Sequence, residues 1–255
     1  MSKILVIPDL HVHSNIDYSY IKYIGKFIMD ERPDCIVQLG DFCDCTSLSS
    51  YDAGTIFCEG QRLINDLKAC DDALSLLTED MRLYNNRRAA NRKKLYKPEM
   101  YLTLGNHEER LERFVKNNPA FSGLLTNDMF GFEKYGFEVI PFLKILNYNG
   151  VNFSHYFHAS GNSNPISNVN TLIRSTHCTS ISGHRQGFQY AQAYTLEGKQ
   201  ITAIIFGSAY PHDERYLQQQ NARHFRGLLM LDDVENGEIH SWRVCSIKTI
   251  IDRYN

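Results

Sequence analysis

Five short apolar segments of this chain share one design, because each ends in a polar turn that carries aspartate, histidine or asparagine. Such runs predict strands buried in an α/β sheet, and ligands bind in the loops beyond the carboxyl ends of such strands. Oxygen and imidazole groups gathered there predict a cluster of metal ligands. The five segments are Ile4–Ile7, Cys35–Leu39, Tyr101–Leu104, Val151–Phe153 and Thr179–Ser182.

The polar residues at these strand ends divide into two sets of candidate metal ligands. Asp9 and His11 share one face of an extended segment, so both side chains can reach one ion. Asp41 follows a glycine at a strand end, where a tight turn can aim it inward, and it is our candidate for a carboxylate that bridges two ions. The second ion would take its other ligands from three further strand ends, at Asn106, His155 and His184. These donors suit Mn²⁺, Fe²⁺ or Zn²⁺ without selecting between them.

Four more residues have predicted roles around this cluster. His107 adjoins a proposed ligand but is expected to face the other way along its loop, which suits a proton donor to a leaving group. Asp44 is predicted to hold the imidazole of His107 in its productive orientation. Arg185 is predicted to bind a substrate phosphate, since a guanidinium can hold two oxygens. His158 lies close enough in sequence to the predicted ligands to reach substrate.

Length and composition narrow the class of protein. We interpret the 255 residues as one domain, because the candidate ligands run through most of the chain. A formal charge of -2 gives no global basic field that would recruit nucleic acid. The seven scattered cysteines do not make a disulfide framework and fit a reducing cytosol, and Cys43 and Cys45 are interpreted as packing residues. Without an apolar run long enough for a signal peptide or membrane span, we expect a cytoplasmic protein with no membrane partner.

Apolar periodicity predicts the helices and strands between these motifs. Helices are expected over Asp17–Glu31 and Glu59–Leu83, and a β meander from Gln189 onward. The segment Gln218–Arg226 has no periodic apolar face and is interpreted as a lid or specificity loop. One local charge bias, which we call the basic ridge, leads into the Tyr101 strand. It consists of Arg82, Arg87, Arg88, Arg92, Lys93, Lys94 and Lys97, and its alternatives are a solvated face or a nucleic-acid surface.

The ordered motifs resemble those of the calcineurin-like metallophosphoesterase superfamily. The resemblance covers residues 9 to 186 and is carried by Asp9-x-His11, Gly40-Asp41-x-x-Asp44, Gly105-Asn106-His107-Glu108, His155 and Gly183-His184. It implies a four-layer α/β/β/α sandwich with two mixed β-sheets, a dinuclear metal centre and hydrolysis of phosphoesters. It also implies that Asp41 bridges the ions and that Asp44 with His107 forms the acid dyad. The remaining third is similar to phosphoesterases of tailed bacteriophages, which would place the protein in the host cytoplasm.

Two departures from the family pattern bear on function. Much of the superfamily has a second histidine where this chain has Gln186, and a glutamine oxygen can coordinate an ion or hold a ligand water. Protein phosphatases carry an arginine directly after the second aspartate of the Asp41 motif, where Cys45 stands here. That difference counts against a close protein phosphatase relative.

These observations predict a phosphoesterase that uses two divalent ions, with Mn²⁺ favoured and Fe²⁺, Zn²⁺ or Mg²⁺ as alternatives. A metal-bridging hydroxide would attack phosphorus while His107 protonates the departing oxygen, and the expected substrate is a nucleotide or nucleic acid. The alternatives are a phosphomonoesterase, a serine/threonine-type protein phosphatase, or a non-catalytic scaffold that binds a phosphorylated partner. His13 also makes the first motif similar to that of histidinol-phosphatase-type enzymes, whose barrel does not fit the β-rich tail of this chain. Nothing in the sequence indicates the oligomeric state.

Overall fold

The computed structural model describes residues 1–159, 161, 163–214 and 224–255. The predicted lid segment therefore lies mostly outside the described residues. The strands within the described residues are β1 (Ser2–Ile7), β2 (Cys35–Gln38), β3 (Glu99–Thr103), β4 (Glu138–Ile140), β5 (Leu146–Tyr148), β6 (Val151–Ser154), β7 (Ser180–Ser182), β8 (Gln189–Tyr194), β9 (Gln200–Ile205), β10 (Gly227–Glu235) and β11 (Glu238–Ser246). The α-helices are α1 (Ile21–Glu31), α2 (Leu63–Ala90), α3 (Glu109–Asn117), α4 (Val169–Thr176) and α5 (Ile247–Tyr254).

The strands form two mixed sheets. The six-stranded sheet has the order β11-β10-β1-β2-β3-β4, in which β1 to β4 run parallel and β10 is antiparallel to β1. The five-stranded sheet has the order β5-β6-β7-β9-β8, with β6, β7 and β9 parallel. The carboxyl ends of β1, β2 and β3 therefore meet at one edge, which we call the carboxyl edge.

Alternate residues of the buried strands face different layers, as strand geometry requires. Leu5 and Ile7 of β1 pack in a core with residues of α1 and α2, whereas Ile4 and Val6 pack against residues of the five-stranded sheet. A third core lies between that sheet and α4, where Leu172 is buried. The predicted four-layer α/β/β/α arrangement of two mixed sheets is confirmed.

The structure corrects three predicted segments. The helix α1 begins at Ile21 rather than Asp17, and α2 extends to Ala90 rather than ending near Leu83. The predicted meander from Gln189 onward is wrong, because β8 and β9 pair in one sheet while β10 and β11 pair in the other. The pattern of short strands and turns correctly predicted the two hairpins, but a local pattern cannot indicate which sheet a hairpin joins.

The basic ridge lies away from the carboxyl edge. It occupies the end of α2 and the segment before β3, and β3 begins at Glu99 opposite Cys35, the first residue of β2. Arg32 precedes β2 and stacks on the rings of Tyr84 and Tyr96, which fixes this region at the amino edge of the sheet. Sequence proximity to β3 suggested that the ridge leads into the site, yet the length of the strand separates them by roughly 16 Å.

Cys43 is buried in the core, as predicted for a packing residue, and a disulfide also joins it to Cys70 of α2, with Cα atoms 5.8 Å apart. The loop after β2 packs on the face of α2 that carries Cys70, a contact that the separation of 27 residues does not reveal. Cys45 is buried and free, as predicted. Among the described helices, none combines the length and apolar character that a membrane crossing requires.

Candidate metal centre

The loops after β2 and β3 approach each other closely because glycines face each other there. Gly40 has a φ of +91°, and a Cβ on it would lie 2.6 Å from the carbonyl oxygen of Thr103. A Cβ on Gly105 would collide with the carboxylate of Asp41. Glycine at both positions therefore allows the loop that carries Asp41 to contact the loop that carries His107.

Asp41 is the centre of the cluster. Its Oδ1 accepts a hydrogen bond of 2.9 Å from the backbone nitrogen of His107. Its Oδ2 lies 3.6 Å from Nε2 of His11, 3.6 Å from Nε2 of His107 and 3.2 Å from Nε2 of His155. Burial favours the neutral acid, but the nearby His107 and His155 hold the pKa of Asp41 well below its usual value.

Two groups of potential metal ligands share this carboxylate. In each group the donor atoms of three residues lie within 4.8 Å of one another. One group consists of His11, Asp41 and His107, and the other of Asp41, His155 and His184. A carboxylate common to two ligand groups is the arrangement that a pair of bridged cations requires.

Asp9 and His11 bring buried polar atoms to the first group. Oδ2 of Asp9 and Nε2 of His11 are 3.9 Å apart, and neither forms a hydrogen bond with a described residue. Nδ1 of His11 donates to Oε1 of Glu214 at 2.7 Å, which leaves the Nε2 lone pair facing Asp41. Burial raises the pKa of Asp9 to about 6. Unsatisfied acceptors in a buried site fit a bound cation.

The second group is also rich in acceptors. Nδ1 of His155 donates to the carbonyl oxygen of Leu39 at 2.8 Å, and its Nε2 lies 3.0 Å from Oδ1 of Asn106. Although burial opposes a charge on the ring, Asp41 raises the pKa of His155 to about 9. Burial and the neighbouring His155 lower the pKa of His184 to about 3. This group therefore favours a positive charge, either a proton on His155 or a cation.

His107 forms a buried pair with Asp44, as predicted. Its Nδ1 donates to Oδ1 of Asp44 at 2.6 Å, and this bond lowers the pKa of Asp44 to about 2 although burial opposes the charge. His107 and the adjoining Asn106 face different ligand groups, since the ring of His107 stacks on that of His11 with centroids 4.5 Å apart whereas Oδ1 of Asn106 contacts His155. Arg110 of α3 donates to the carbonyl oxygen of Asp44 at 2.7 Å, and its Nη2 lies 3.3 Å from Nε2 of His107.

Glu108 connects the loop after β2 to the loop after β3. Its carboxylate is fully buried and accepts hydrogen bonds from the backbone nitrogens of Asp41, Cys43 and Gly105 at 3.0, 2.9 and 2.8 Å. Burial raises the pKa of Glu108. The carboxylate fixes the backbone on both sides of Asp41 to the start of the His107 loop.

Three predicted site residues lie outside the bonded cluster. The side chain of Gln186 forms no hydrogen bond with a described residue, and its backbone carbonyl accepts from Phe225. The side chain of Arg185 is exposed and makes no ion pair in the described part of the chain. His158 is exposed as well, and its ring contacts Tyr156, which in turn lies 4.8 Å from the ring of His184.

Sequence reasoning assigned no role to Glu108, Arg110, Tyr156 or Glu214, which contact the cluster. Glu108 directly follows His107 in its motif, whereas Arg110 lies three residues after His107 and nothing in the pattern of α3 distinguishes it. Tyr156 adjoins His155, but nothing in its position indicates a role. Glu214 is remote in sequence from His11, and no local pattern connects the two.

Three residues of the cluster have left-handed backbone conformations. The φ angles are 46° for His11, 50° for Asp41 and 65° for His184. Such values are uncommon for residues with a Cβ, and they concentrate where side chains must be aimed. Each of these residues lies in a tight turn just after a strand, so the turn directs its side chain across the edge of the sheet.

Comparison with known proteins gives one family match. The model of a family described as calcineurin-like phosphoesterase matches residues 2–207, a range that contains every predicted ligand but not Glu214. No curated protein matches the chain. A similar solved structure is that of wild-type Vps29 complexed with Zn²⁺ from Entamoeba histolytica, at 12% identity and a TM-score of 0.38, covering 95% of this chain and 96% of that one. Of these results, the family match alone bears on function.

Proposed function

Because this chain belongs to the calcineurin-like phosphoesterase family, we propose that it is a metal-dependent hydrolase of phosphoester bonds in nucleotides or nucleic acid. The observation that carries the proposal is the position of Asp41, shared by two groups of metal-binding side chains. The Asp44–His107 pair lies directly beside it. We further propose that the whole chain works as one domain, since β10 near its end pairs with β1 at its start.

The residues fit two divalent cations. Asp9, His11 and Asp41 would hold one ion, and Asp41, Asn106, His155 and His184 the other. Oδ2 of Asp9 and Nε2 of His11 are buried without a hydrogen-bond partner among the described residues, which fits a cation at the first position. Bound ions would supply the nucleophile from water and polarise the phosphoryl oxygens. Oxygen and imidazole donors suit Mn²⁺, which is our first choice. Gln186 as a ligand stays a prediction.

His107 is proposed as the general acid. Asp44 accepts the Nδ1 proton, which fixes the ring so that Nε2 points toward Asp41 and the reacting group. A proton at Nε2 would pass to the leaving oxygen as its bond to phosphorus breaks, while an oxygen from water forms the new bond. A carboxylate behind the imidazole stabilises the charged ring before that transfer.

Aromatic side chains beside the second group support a nucleotide substrate. Tyr156 lies against the rings of both His155 and His184, with His158 on its outer side at 5.2 Å. Aromatic faces at the margin of a phosphate site stack nucleobases without sequence preference. The basic ridge gives no such support, since it lies at the amino edge of the sheet.

The test is hydrolysis of bis-p-nitrophenyl phosphate and p-nitrophenyl phosphate, each with Mn²⁺, Mg²⁺, Zn²⁺ or no metal. We expect metal-dependent turnover of the diester, and a fall of about 10²- to 10⁴-fold in kcat for His107→Ala with its bound ions retained. His240→Ala, which replaces an exposed histidine of β11, is the matched control and should keep full activity.

The other outcomes separate the alternatives. Turnover of the monoester alone would indicate a phosphatase. If the protein binds two ions, cleaves neither ester and binds a phosphorylated peptide equally well with or without His107, the non-catalytic scaffold replaces the enzyme. A His107→Ala variant with wild-type turnover would contradict the general-acid role.

A further inference from the structure

Arg110 is the cation closest to the proposed acid dyad, and no predicted role accounts for it. Its side chain is only 14% exposed although it comes from the first turn of α3. Nη1 donates to both the carbonyl oxygen and Oδ1 of Asp44, at 2.7 and 3.2 Å. The guanidinium is therefore fixed at one end, with its other end directed at His107.

The second end of the guanidinium has a weak partner. Nη2 lies 3.3 Å from Nε2 of His107, and among the described residues it has no carboxylate partner of its own. A phosphoryl oxygen carries negative charge and binds a guanidinium more strongly than a neutral imidazole nitrogen does. A phosphoryl oxygen that reached this point would therefore replace the imidazole as the acceptor.

The position of Nη2 relative to the substrate follows from the role proposed for His107 as general acid. Nε2 of His107 is the atom that must meet the leaving oxygen, and it lies 3.6 Å from Oδ2 of Asp41. Because Nη2 lies beside Nε2, it borders the space that the scissile phosphoryl group would occupy. The leaving oxygen and a non-bridging oxygen of one phosphoryl group are close enough to meet both nitrogens.

The loop after Asp44 supplies no cation, because Cys45 is buried and apolar. Nη1 of Arg110 reaches the carbonyl oxygen of this cysteine at 3.5 Å, so the guanidinium from α3 lies against the loop position that lacks a charge. Arg185, the residue predicted to bind phosphate, is exposed and makes no hydrogen bond to the cluster among the described residues. Arg110 is thus better placed than Arg185 to contact the scissile group.

We propose that Arg110 is a catalytic residue that donates from Nη2 to a non-bridging oxygen of the scissile phosphoryl group while Nη1 holds Asp44. This inference rests on the proposed phosphoesterase function. Arg110 transfers no proton: water supplies the oxygen that forms the new bond to phosphorus, and His107 gives its proton to the leaving oxygen. The guanidinium stabilises charge on the phosphoryl oxygens during that exchange.

The experiment compares Arg110→Gln, Arg110→Lys and wild type, all loaded with Mn²⁺. Binding of inorganic phosphate is measured by calorimetry, and kcat/KM is measured for a p-nitrophenyl ester and for the matching phenyl ester, whose leaving group needs a proton more. We expect Arg110→Gln to bind phosphate about 10- to 100-fold more weakly and to lose about a hundredfold in kcat/KM on both esters alike. Arg110→Lys should recover part of the phosphate binding.

Lys116→Gln is the matched control, because it removes one positive charge from the same helix at an exposed position. It should leave phosphate binding and turnover unchanged. Metal content and thermal unfolding of each variant are measured alongside, and Arg110→Lys carries the comparison if Arg110→Gln fails to fold.

Two results would overturn the proposal. If Arg110→Gln binds phosphate as tightly as wild type, or loses activity on the phenyl ester alone, Arg110 only positions the Asp44–His107 pair. Absence of turnover in the wild-type protein would instead count against the proposed function, and phosphate binding by the metal-loaded variants would still decide the role of Arg110.

Discussion

The six-stranded sheet has one cluster of charged side chains at its carboxyl edge and another at its amino edge, and the two clusters differ in burial and in ion pairing. At the carboxyl edge, carboxylates and imidazoles such as Asp41 and His155 are almost completely buried and lie within 3.2 Å of each other. At the amino edge, the cations of the basic ridge are mostly exposed, and none of the seven forms an ion pair with a described carboxylate.

This difference indicates which kind of charged cluster is a ligand-binding site. The buried cluster is held by backbone: Glu108 accepts from three backbone nitrogens, and left-handed turns aim His11 and Asp41. The ridge has less support among the described residues, since only Arg82 and Arg88 donate from their side chains to backbone carbonyl oxygens and six of its seven side chains are exposed. Burying charge is unfavourable unless it is compensated, so a buried cluster with unsatisfied acceptors indicates a ligand, whereas an exposed one does not.

The largest effect is expected at the centre of the carboxyl edge. Asn tolerates the left-handed backbone of Asp41 and keeps an oxygen for the backbone nitrogen of His107, so Asp41→Asn should fold. It removes the charge that both ligand groups share, and we expect Mn²⁺ affinity and ester turnover to fall by more than about a hundredfold. Calorimetric titration with Mn²⁺ measures this, with Asp252→Asn on the surface of α5 as control. An Asp41→Asn protein that still binds two ions tightly would mean that Asp41 does not bridge them.

The next effect tests the backbone support of the site rather than its ligands. Glu108→Ala leaves three buried backbone donors without their acceptor, so the free energy of unfolding should fall by at least about 3 kcal/mol. Urea denaturation of the metal-free protein measures this loss. The neighbouring Glu109→Ala removes a carboxylate whose one ion-pair partner among the described residues is the exposed Lys116, and it should change stability little. Equal losses in the two variants would show that Glu108 does not hold the loops.

The smallest effect is expected at the amino edge. Replacing Arg87, Arg88, Arg92, Lys93 and Lys94 together by Gln should leave kcat/KM for a small ester within about twofold of wild type, since these cations lie roughly 16 Å from the site. The single replacement Arg110→Gln should instead lower kcat/KM about a hundredfold, so the two variants together test whether the edges are separate. A large loss of small-ester activity in the ridge variant would contradict the separation of the two edges.

Sequence predicted the elements of the carboxyl edge because their signals are local. Each apolar run that ends in Asp9, Asp41, Asn106, His155 or His184 is a strand followed by a turn that reaches one cluster. Parallel strands place the ends before Asp9, Asp41 and Asn106 together in one sheet, whereas His155 and His184 follow strands of the second sheet and reach the cluster because the two sheets stack. The pairing of Asp44 with His107 was predicted on the same basis.

The residues that sequence did not predict depend on contacts between distant segments. Glu214 reaches His11 across 203 positions, and Cys43 meets Cys70 only because α2 packs over the loop after β2. Arg110 carries no distinguishing pattern within α3, since its role depends on the direction of its side chain. The two last hairpins joined different sheets for the same reason: periodicity describes a strand and not its neighbour.

The pairing of β10 with β1 has a consequence for synthesis of the protein on the ribosome. β1 is central in its sheet, yet its neighbour on one side is not made until residues 227–235 follow. Ser208, which bridges Asp9, is also translated long after β1. A nascent chain must therefore keep one edge of β1 unpaired, where it is open to aggregation, until β10 has been translated. Truncated translation products should accordingly be both inactive and insoluble, and dependent on chaperones.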